Sequence, residues 1–375
     1  MTKIVLNMIV KDEAHIIEET LENLVSNLAF DYWVISDTGS TDQTPEIIKT
    51  FFKEKGIKGE LFYDKWQNFA HNRNKALEHA RGKGDYIFVF DADDKIEGEL
   101  SLPDPLTADA YYLEFSTEFA ETVYRRISLF KNRPDIYWRG VLHEFIDLPE
   151  GSSISTILGA YRLISRRKGS RNLDEKKYLK DAQLLEKAIL DNQDPDLLPR
   201  YVFYCGRSYR DADEPKRALP WFEKRAHMTE GWSEEAYCSA LTAGNLYENQ
   251  GNLKMADYWW EQATVINPKR AEAWHQLARS HRERQEHHLA FAFAYMAKDL
   301  EADTANLFVW QSSYDYWVAF ELLSAGVQLG RFQEAYEGFS KLLKSSQKEL
   351  ARPFYKHLEN FLPYLDADIL QYLAD

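Results

Sequence analysis

The residues with the clearest chemical potential are two aspartates behind a strongly apolar run. Asp91 and Asp93 follow residues 86–90, Tyr-Ile-Phe-Val-Phe, whose composition predicts a buried β-strand. Two carboxylates at a strand end can point around one hard divalent cation, since Mg²⁺ and Mn²⁺ accept one or two carboxylates plus substrate phosphates. Such a cation would neutralise a nucleoside diphosphate as it leaves a sugar carbon. Acidic pairs at strand ends are also common in solvated turns, so the surroundings must decide.

Polar clusters follow two earlier strand-like runs as well. Residues 4–10 are followed by Lys11-Asp12-Glu13, and residues 32–36 by Asp37-Thr38-Gly39-Ser40. The glycine permits a tight turn and a close backbone approach. Asp37 could accept a hydrogen bond from the N–H of a base, while the alternative for Asp37 and for Asp42 is capping of the next helix. Arg73, in a helix that opens after Asn68, could reach a base or a phosphate, or be a plain surface arginine.

The first hundred residues alternate strand and helix. Helical spacing of apolar residues covers 14–28, 43–55 and 69–81, and the runs at 4–10, 32–36, 60–63 and 85–90 indicate strands. This alternation predicts a parallel sheet with helices on both faces, in which ligands bind at the carboxyl ends of the strands. Residues 109–160 indicate a partly antiparallel addition to that sheet. A basic loop at 166–171 follows, and then the chain becomes almost entirely helical.

The helical half contains a repeat of thirty-four residues. The tetratricopeptide pattern of small and aromatic residues predicts stacked helix pairs, and the spacing holds over two units with an earlier third and a weaker fourth. The positions that carry the pattern are Gly206, Tyr209, Ala218, Phe222, Gly244, Tyr247, Ala256, Trp260, Ala263, Pro268, Trp274, Leu277, Ala278, Ala290, Ala294, Ala297, Ala335 and Phe339. We expect a domain 1–170 and a repeat domain 171–375.

Composition excludes several classes of function. The formal charge of −14 disfavours nucleic acid as the main partner. The two cysteines, Cys205 and Cys238, are too few for a disulfide framework, and no run is long and apolar enough for a membrane span. The N-terminal run lacks the marks of a signal peptide. A cytoplasmic location is therefore expected.

Together these segments resemble a known family. The ordered motifs IVKDEAH, SDTGSTDQT, NFAHNRNKAL and FVFDADD, with WRGVLHEF further on, look like the family 2 glycosyltransferases of the GT-A fold. With its helical half, the chain is similar to bacterial-type proteins that join such a domain to tetratricopeptide repeats. The resemblance implies that Asp37 binds the nucleotide base, usually uracil, and that Val10 and Glu13 line the base pocket. It also places Arg73 beside the nucleotide, Asp91 at the ribose or metal, and Asp93 on the Mn²⁺ or Mg²⁺ ion.

The family's inverting mechanism also needs a carboxylate base for the acceptor hydroxyl. The segment 138–145 offers Trp138 as an aromatic that could stack on a sugar, His143 as a further metal ligand and Glu144 as the base. Neighbours on a strand face opposite ways, so both can serve only if the backbone turns there. The alternatives are a structural histidine and a glutamate paired with an arginine. Asp94 is a second candidate for the base, but its position next to Asp93 favours an outward-facing side chain.

Two features of the resemblance concern the segment after the sheet. The basic loop at 166–171 could close over the diphosphate, or be a charged linker. Some relatives carry a histidine near this point, but this chain has Ser165, so no metal ligand is assigned there.

These features predict a metal-dependent, inverting transfer of a hexose or N-acetylhexosamine from a UDP-sugar to an unknown acceptor, which could be a glycan, a protein or a small molecule. A nucleotidyltransferase-like enzyme is an alternative, but residues 11–14 lack the glycine-rich loop it would need. A non-catalytic repeat scaffold that binds a peptide is the third. The repeats could equally support a homodimer or a peptide contact.

Overall fold

The computed structural model describes residues 2–117, 120–166, 168–303 and 306–373. They form two compact units, Met1–Ala188 and Ile189–Asp375. The first is built on a mixed β-sheet with helices, and the second is helical throughout its described residues. This confirms the predicted fold class, a GT-A-like α/β domain followed by a helical repeat domain. The predicted domain boundary at residue 170 stays a prediction.

The first unit contains eleven strands among its described residues. They are β1 Ile4–Val10, β2 Tyr32–Asp37, β3 Gly59–Tyr63, β4 Tyr86–Val89, β5 Asp94–Gly98, β6 Ala110–Thr117, β7 Ala120–Lys131, β8 Tyr137–Arg139, β9 Phe145–Asp147, β10 Ile154–Thr156 and β11 Tyr161–Ser165. The main sheet has the order β3-β2-β1-β4-β7-β6-β11-β5, with β10 beside β6, and β8 pairs with β9. β1 to β4 are parallel neighbours, whereas β7 is antiparallel to β4 and β6.

Helices cover both faces of this sheet, as the alternating pattern predicts. They are α1 Ile17–Asn27, α2 Thr44–Lys55 and α3 Phe69–Ala80. After β11 come a short 3-10 helix Ser170–Leu173 and α4 Lys177–Leu190. One apolar core, which includes Leu21 and Phe52, lies on the α1 and α2 side. A second, which includes Leu77, lies on the α3 side. α3 begins at the predicted Asn68, whose side chain accepts from the His71 N–H at 2.8 Å.

The parallel strands bring the predicted polar clusters to one edge of the sheet. β1 and β2 are in register so that Val10 lies opposite Asp37, and β1 and β4 pair as far as Val89. The three strands are mostly apolar and buried, and their charged residues appear only at or just after the carboxyl end of each strand. The side chains after β1, β2 and β4 therefore meet, which is where ligands bind in open α/β sheets.

The second unit consists mainly of antiparallel helix pairs. Its α-helices are α5 Leu198–Asp211, α6 Pro215–His227, α7 Ser233–Asn249, α8 Leu253–Ile266, α9 Ala271–Glu283, α10 His287–Ala297, α11 Val318–Gln328, α12 Phe332–Lys344, α13 Leu358–Phe361 and α14 Ala367–Leu373. The shorter elements are the 3-10 helices Pro195–Leu197, Lys348–His357 and Leu362–Tyr364 and the π-helix Ser313–Trp317. The predicted repeats correspond to four successive pairs, from α5–α6 to α11–α12.

Small residues allow these pairs to pack closely. A Cβ on Gly244 would lie 2.4 Å from the Trp260 ring, so the glycine of α7 is what admits the tryptophan of α8. Gly206 and Phe222 repeat this relation in the preceding pair. The repeat pattern is therefore a packing pattern. Both cysteines are buried and free.

Candidate active site

Two adjoining clefts open at the edge where β1, β2 and β4 end. Cleft one has a volume of about 480 Å³, and its walls include Val10, Asp12, Glu13, Thr38, Trp66, Asp174, Lys180, Asp181 and Leu184. Cleft two has about 360 Å³, and its walls include Arg73, Asp91, Asp93, Arg126, His143, Glu144, Gly169 and Asn172. Four residues line both: Ile9, Glu13, Phe69 and Arg171. The structure therefore brings together most of the residues that the sequence singles out.

Asp37 ends β2 with one carboxylate oxygen satisfied and one not. Its Oδ1 accepts from the N–H groups of Gly39 and Ser40, both at 2.8 Å, in a turn where Gly39 has a φ of +106°. Its Oδ2 is buried and has no hydrogen-bond partner among the described residues. An unpaired buried acceptor is costly, and such atoms often await a ligand. The neighbouring Thr38 lies in the wall of cleft one.

The turns after β1 and β2 hold each other in place. Asp12, whose φ is +55°, accepts from the Thr41 N–H at 2.6 Å, and its own N–H donates to Ser40 at 2.9 Å. Asp42 accepts from the N–H of Thr44, the first residue of α2, at 3.0 Å. Asp42 thus bonds the turn that enters α2, whereas the N-cap position itself is taken by Gln43 without a side-chain capping bond. These bonds fix the floor of cleft one without any ligand.

Cleft two is built around a chain of ion pairs. Arg73 of α3 donates through Nε to Glu144 Oε1 and through Nη2 to Asp91 Oδ1, both at 2.7 Å. Arg126 of β7 donates to Asp91 Oδ2 at 3.0 Å and to Asp94 Oδ2 at 3.2 Å. Asp91 thus has an arginine on each oxygen. The network spans α3, the end of β4, β7 and the β8–β9 loop.

This network shifts the proton affinities of its members in opposite directions. Burial disfavours the charged form of Asp91, but Arg73 and Arg126 outweigh it and hold the pKa of Asp91 well below its ordinary value. Burial, followed by repulsion from Asp91, raises the pKa of Asp94 to about 8 against the attraction of Arg126. The expectation that Asp94 faces outward is wrong, because its side chain is 2 % exposed and paired with Arg126. The tight turn after β4 directs Asp94 inward where β5 begins.

Asp93 and Glu13 are held by the segment that follows β11. Asp93 Oδ2 accepts from the Gly169 N–H at 3.0 Å, and the Ser170 N–H lies 3.2 Å from both oxygens of Glu13. A Cβ on Gly169 would lie 3.2 Å from Asp93 Oδ2 and from Glu13 Oε1. Those two oxygens are therefore within about 6.4 Å of each other, twice that contact. Burial raises the pKa of Glu13 to about 7, although the Ser170 bond opposes this.

His143 and Glu144 lie in the loop between β8 and β9. The loop turns sharply, with Gly140 at a φ of +99° and His143 at +53°. This turn brings both residues to cleft two, although neighbours on a regular strand would face opposite ways. Glu144 also makes the arginine pairing named as its alternative, through Arg73.

Trp138 lies beneath cleft two, not in its wall. The residue is 6 % exposed and belongs to the core under α3. Its backbone N–H donates to the Asn74 side chain, and its carbonyl accepts from it. The Arg73 guanidinium lies 4.8 Å from the ring centroid. This placement contradicts the expectation that Trp138 stacks on a sugar. It supports Arg73 instead, through a cation–π contact.

Several residues of the basic loop 166–171 are held by hydrogen bonds to the first unit. Arg166 is buried, and it donates to the Asp93 carbonyl at 3.0 Å and to Thr20 at 2.9 Å. Arg167 lies outside the described residues. Lys168 is exposed, and its carbonyl bonds His15 at 2.9 Å. Ser165 ends β11 opposite Asp94. Arg166 is thus a structural residue, while residues 169–172 already reach the acidic pair.

Comparison with known proteins assigns the first unit. Residues 6–168 match the family described as glycosyl transferase family 2. The first unit is a family 2 glycosyltransferase domain. A TPR repeat-containing protein of Synechococcus elongatus is 34% identical over 157 residues, which cover 39% of this chain and 36% of that protein. The prophage-derived glycosyltransferase SunS of Bacillus subtilis is 23% identical over 261 residues, covering 64% of this chain and 59% of that protein.

Comparison with solved structures finds a match at low identity. Residues 1–349 of TarS from S. aureus, in complex with UDP-GlcNAc, cover 70% of this chain and 91% of that one at 14% identity, with a TM-score of 0.41. The chain spans less than two thirds of the length of the curated relatives it matches. Among the described residues, no helix combines the length and apolar character needed to cross a membrane.

The glycosyltransferase domain fits a hard divalent cation in its carboxylate chemistry. Described residues contain no group of three or more His, Cys, Asp or Glu side chains arranged to hold a metal. The ions of this class, however, need only one or two carboxylates when substrate phosphates supply other ligands. Asp93 meets that requirement best, because its carboxylate is partly exposed and bears no arginine among its described contacts. Asp91 would have to give up one arginine.

Several residues of this candidate site were not singled out from the sequence. Arg126 pairs with two aspartates, Phe69 lines both clefts, and Asp181 bonds Arg171, which the sequence had placed only within the basic loop 166–171. Arg126 carried one signal: an arginine inside a strand-like run next to the sheet centre needs a partner. Phe69 lies within the motif NFAHNRNKAL, but a phenylalanine at that place in a helix is typical of a core residue. Arg171 and Asp181 lie beyond the matched region.

Proposed function

We propose that this chain is a metal-dependent, inverting glycosyltransferase that moves a sugar from a UDP-sugar to an acceptor hydroxyl. The observation that carries the proposal is the unpartnered, buried Oδ2 of Asp37 beside cleft one, with the carboxylates of cleft two next to it. At cleft one, the Asp37 Oδ2 acceptor lacks a donor, and the N–H of a nucleotide base would supply it. Cleft two holds acids suited to a diphosphate-bound cation and to proton transfer. The similarity to SunS supports glycosyl transfer without defining the donor.

We assign the following roles to the residues, and their positions at the two clefts support these roles. Asp37 Oδ2 accepts from the imide N–H of uracil, and Val10 and Glu13 line the base pocket in cleft one. Asp93 holds Mn²⁺ or Mg²⁺, with Asp91 and His143 as further ligands from cleft two. When bound, this cation supplies positive charge to the departing diphosphate.

Glu144 is the proposed base. Arg73 fixes Oε1 of Glu144 from one side, so the side chain is held in one orientation. The other oxygen has no hydrogen-bond partner among the described residues, and it can accept the proton of an acceptor hydroxyl that lies in cleft two. That hydroxyl attacks the anomeric carbon in line with the leaving diphosphate, which inverts the configuration. A positioned base of this kind contributes ~10²–10⁴-fold.

A thermal-shift series tests the proposal. UDP with Mn²⁺ should raise the melting temperature, because a ligand that binds the native state alone stabilises it, whereas CTP and ATP should raise it much less. Asp93→Ala should remove the metal-dependent part of the shift, and Asp135→Ala, at an exposed ion pair outside both clefts, should retain it. A larger shift with CTP or ATP would favour nucleotidyl transfer. The absence of any nucleotide shift would favour a repeat scaffold. A screen of UDP-sugar hydrolysis then identifies the sugar.

A further inference from the structure

The boundary between the two clefts contains one arginine. Of the four residues that line both clefts, Ile9, Glu13 and Phe69 are apolar or acidic, and Arg171 is the cation. Arg171 lies in the 3-10 helix Ser170–Leu173, beyond the residues that the family match covers. Arg171 is the last residue of the basic loop 166–171, for which closure over the diphosphate and a charged linker are the two expectations, but no motif assigns a contact to Arg171 itself.

The guanidinium of Arg171 is held in place but remains accessible. It lies 4.5 Å from the centroid of the Phe69 ring and forms an ion pair with Asp181 of α4. The Arg171 side chain is 41 % exposed, whereas that of Asp181 is 11 % exposed. A planar guanidinium stacked on a ring and tied at one edge keeps other N–H donors free for a second anion.

Arg171 lies where the diphosphate of a bound donor would cross from cleft one to cleft two. The inference rests on the proposed function: with the base in cleft one and the sugar in cleft two, the diphosphate that joins them has to pass the residues shared by both. A diphosphate carries several negative charges, and both clefts already contain buried carboxylates. The crossing point therefore needs positive charge besides a cation on Asp93.

We propose that Arg171 binds the diphosphate of the donor and that Asp181 positions its guanidinium. When the bond between the anomeric carbon and the β-phosphate oxygen breaks, the electron pair stays on that oxygen. Arg171 stabilises this charge by hydrogen bonds, and the acceptor proton passes to Glu144. Donors aimed at developing charge stabilise the transition state and not only the bound substrate.

Calorimetric titrations with uridine, UMP and UDP, in the presence of Mn²⁺, test this role. Uridine probes cleft one alone, and UDP adds the diphosphate. Arg171→Ala should weaken UDP binding ~10–100-fold, the range for hydrogen bonds to charged groups, and leave uridine binding within about twofold. Arg171→Lys should fall between, because lysine keeps the charge and loses the fork. Arg133→Ala removes an exposed arginine outside both clefts and should change neither ligand.

Asp181→Asn tests the positioning role. It should weaken UDP binding less than Arg171→Ala, and the double variant should bind UDP no worse than Arg171→Ala alone, because the two residues act through one guanidinium. Additive losses would overturn the positioning role. In the transfer reaction, Arg171→Ala should lower kcat as well as raise KM for the donor.

Two results would overturn the proposal. One is an Arg171→Ala protein that keeps the native preference for UDP over uridine. The other is an equal loss of uridine and UDP binding with normal circular dichroism, which would make Arg171 a structural residue of cleft one. Failure of the proposed function is distinct from both, since the unaltered chain would then bind no UDP.

Discussion

Arg126 in the first unit and Arg270 in the second are each held between two carboxylates, yet their surroundings differ. Arg126 pairs with Asp91 and Asp94 at 3.0 and 3.2 Å, and its side chain is 34 % exposed. Arg270 pairs with Glu234 and Glu272 at 2.7 and 2.6 Å, and its side chain is fully buried. An arginine between two carboxylates thus forms a partly exposed network, here called open, in one unit. In the other unit it forms a fully buried network, here called closed.

In the closed network, the hydrogen-bond donors and acceptors of Arg270 and Glu272 are satisfied by groups of the second unit. Arg270 also donates to the Leu307 carbonyl at 2.7 Å, and Glu272 accepts from the Trp310 N–H and from the hydroxyls of Tyr237 and Tyr314. In the first unit, Asp37 Oδ2 and the second oxygen of Glu144 are left without described partners. Saturation of donors and acceptors, and not the presence of buried charge, separates a structural cluster from a ligand site.

The largest expected effect is on the reaction itself. Glu144→Gln should lower transfer by ~10²–10⁴-fold, because glutamine cannot take the proton of the acceptor, and should leave UDP binding close to normal. Steady-state transfer and calorimetry measure the two quantities. Glu150→Gln, at an exposed position away from both clefts, is the control and should retain transfer. If UDP binding fails as well, Glu144 is a structural partner of Arg73, and the two networks are alike.

The matched change in the second unit should act on stability instead. Arg270→Met leaves two buried glutamates without their cation, and breaking a buried pair in this way costs about 3–5 kcal/mol of unfolding free energy. Denaturant unfolding followed by circular dichroism measures it, with Arg352→Met at an exposed ion pair as control. A loss of UDP affinity in the folded Arg270→Met protein would contradict the division of roles.

His275 should make the second unit sensitive to acid. Burial, followed by repulsion from Arg279 and Arg282, lowers the pKa of His275 to about 4. The unfolded imidazole binds a proton below about pH 6.5 and the folded one does not, so unfolding becomes easier as the pH falls from 6.5 towards 4. Between pH 7.5 and 5 we expect a loss of about 2 kcal/mol. Unfolding curves of the unaltered chain and of His275→Gln should diverge over that range; parallel pH dependence would count against a buried neutral imidazole.

The smallest expected effect concerns a single hydrogen bond between repeats. The hydroxyl of Tyr247 donates to Glu223 at 2.6 Å, and Tyr247→Phe removes that bond while keeping the ring. A bond of this type contributes about 1 kcal/mol. Tyr295→Phe, at an exposed ring, should leave the unfolding midpoint unchanged. Equal midpoints for the two variants would show that Glu223 is as well satisfied by water.

Much of the site could be predicted because strand ends are legible in the sequence. Glu13, Asp37 and Asp93 each follow an apolar run whose polar end is abrupt, and parallel pairing then brings them to one edge. The repeat pattern was equally readable, because a small residue such as Gly244 and its aromatic partner Trp260 recur at fixed spacing.

The rest depended on contacts between distant parts of the chain. The inward direction of Asp94 is set by a turn and by Arg126, which comes from β7, whose pairing with β6 contains register shifts. Trp138 looked like a sugar platform by residue type, but the fold of α3 over the β8–β9 hairpin buries it. Periodicity within a segment carries no information on which of two neighbours another segment will meet.

The bond between Gly169 and Asp93 has a practical consequence for dissecting the protein. A fragment cut where the family match stops, at residue 168, would carry every motif of the family 2 resemblance. It would still lack the two amides on Asp93 and Glu13, and the Arg171–Asp181 pair that walls cleft one. Such a minimal fragment should fold its sheet and yet present a cleft one that lacks part of its wall. Activity measured on a fragment will depend on whether its end lies before or after α4.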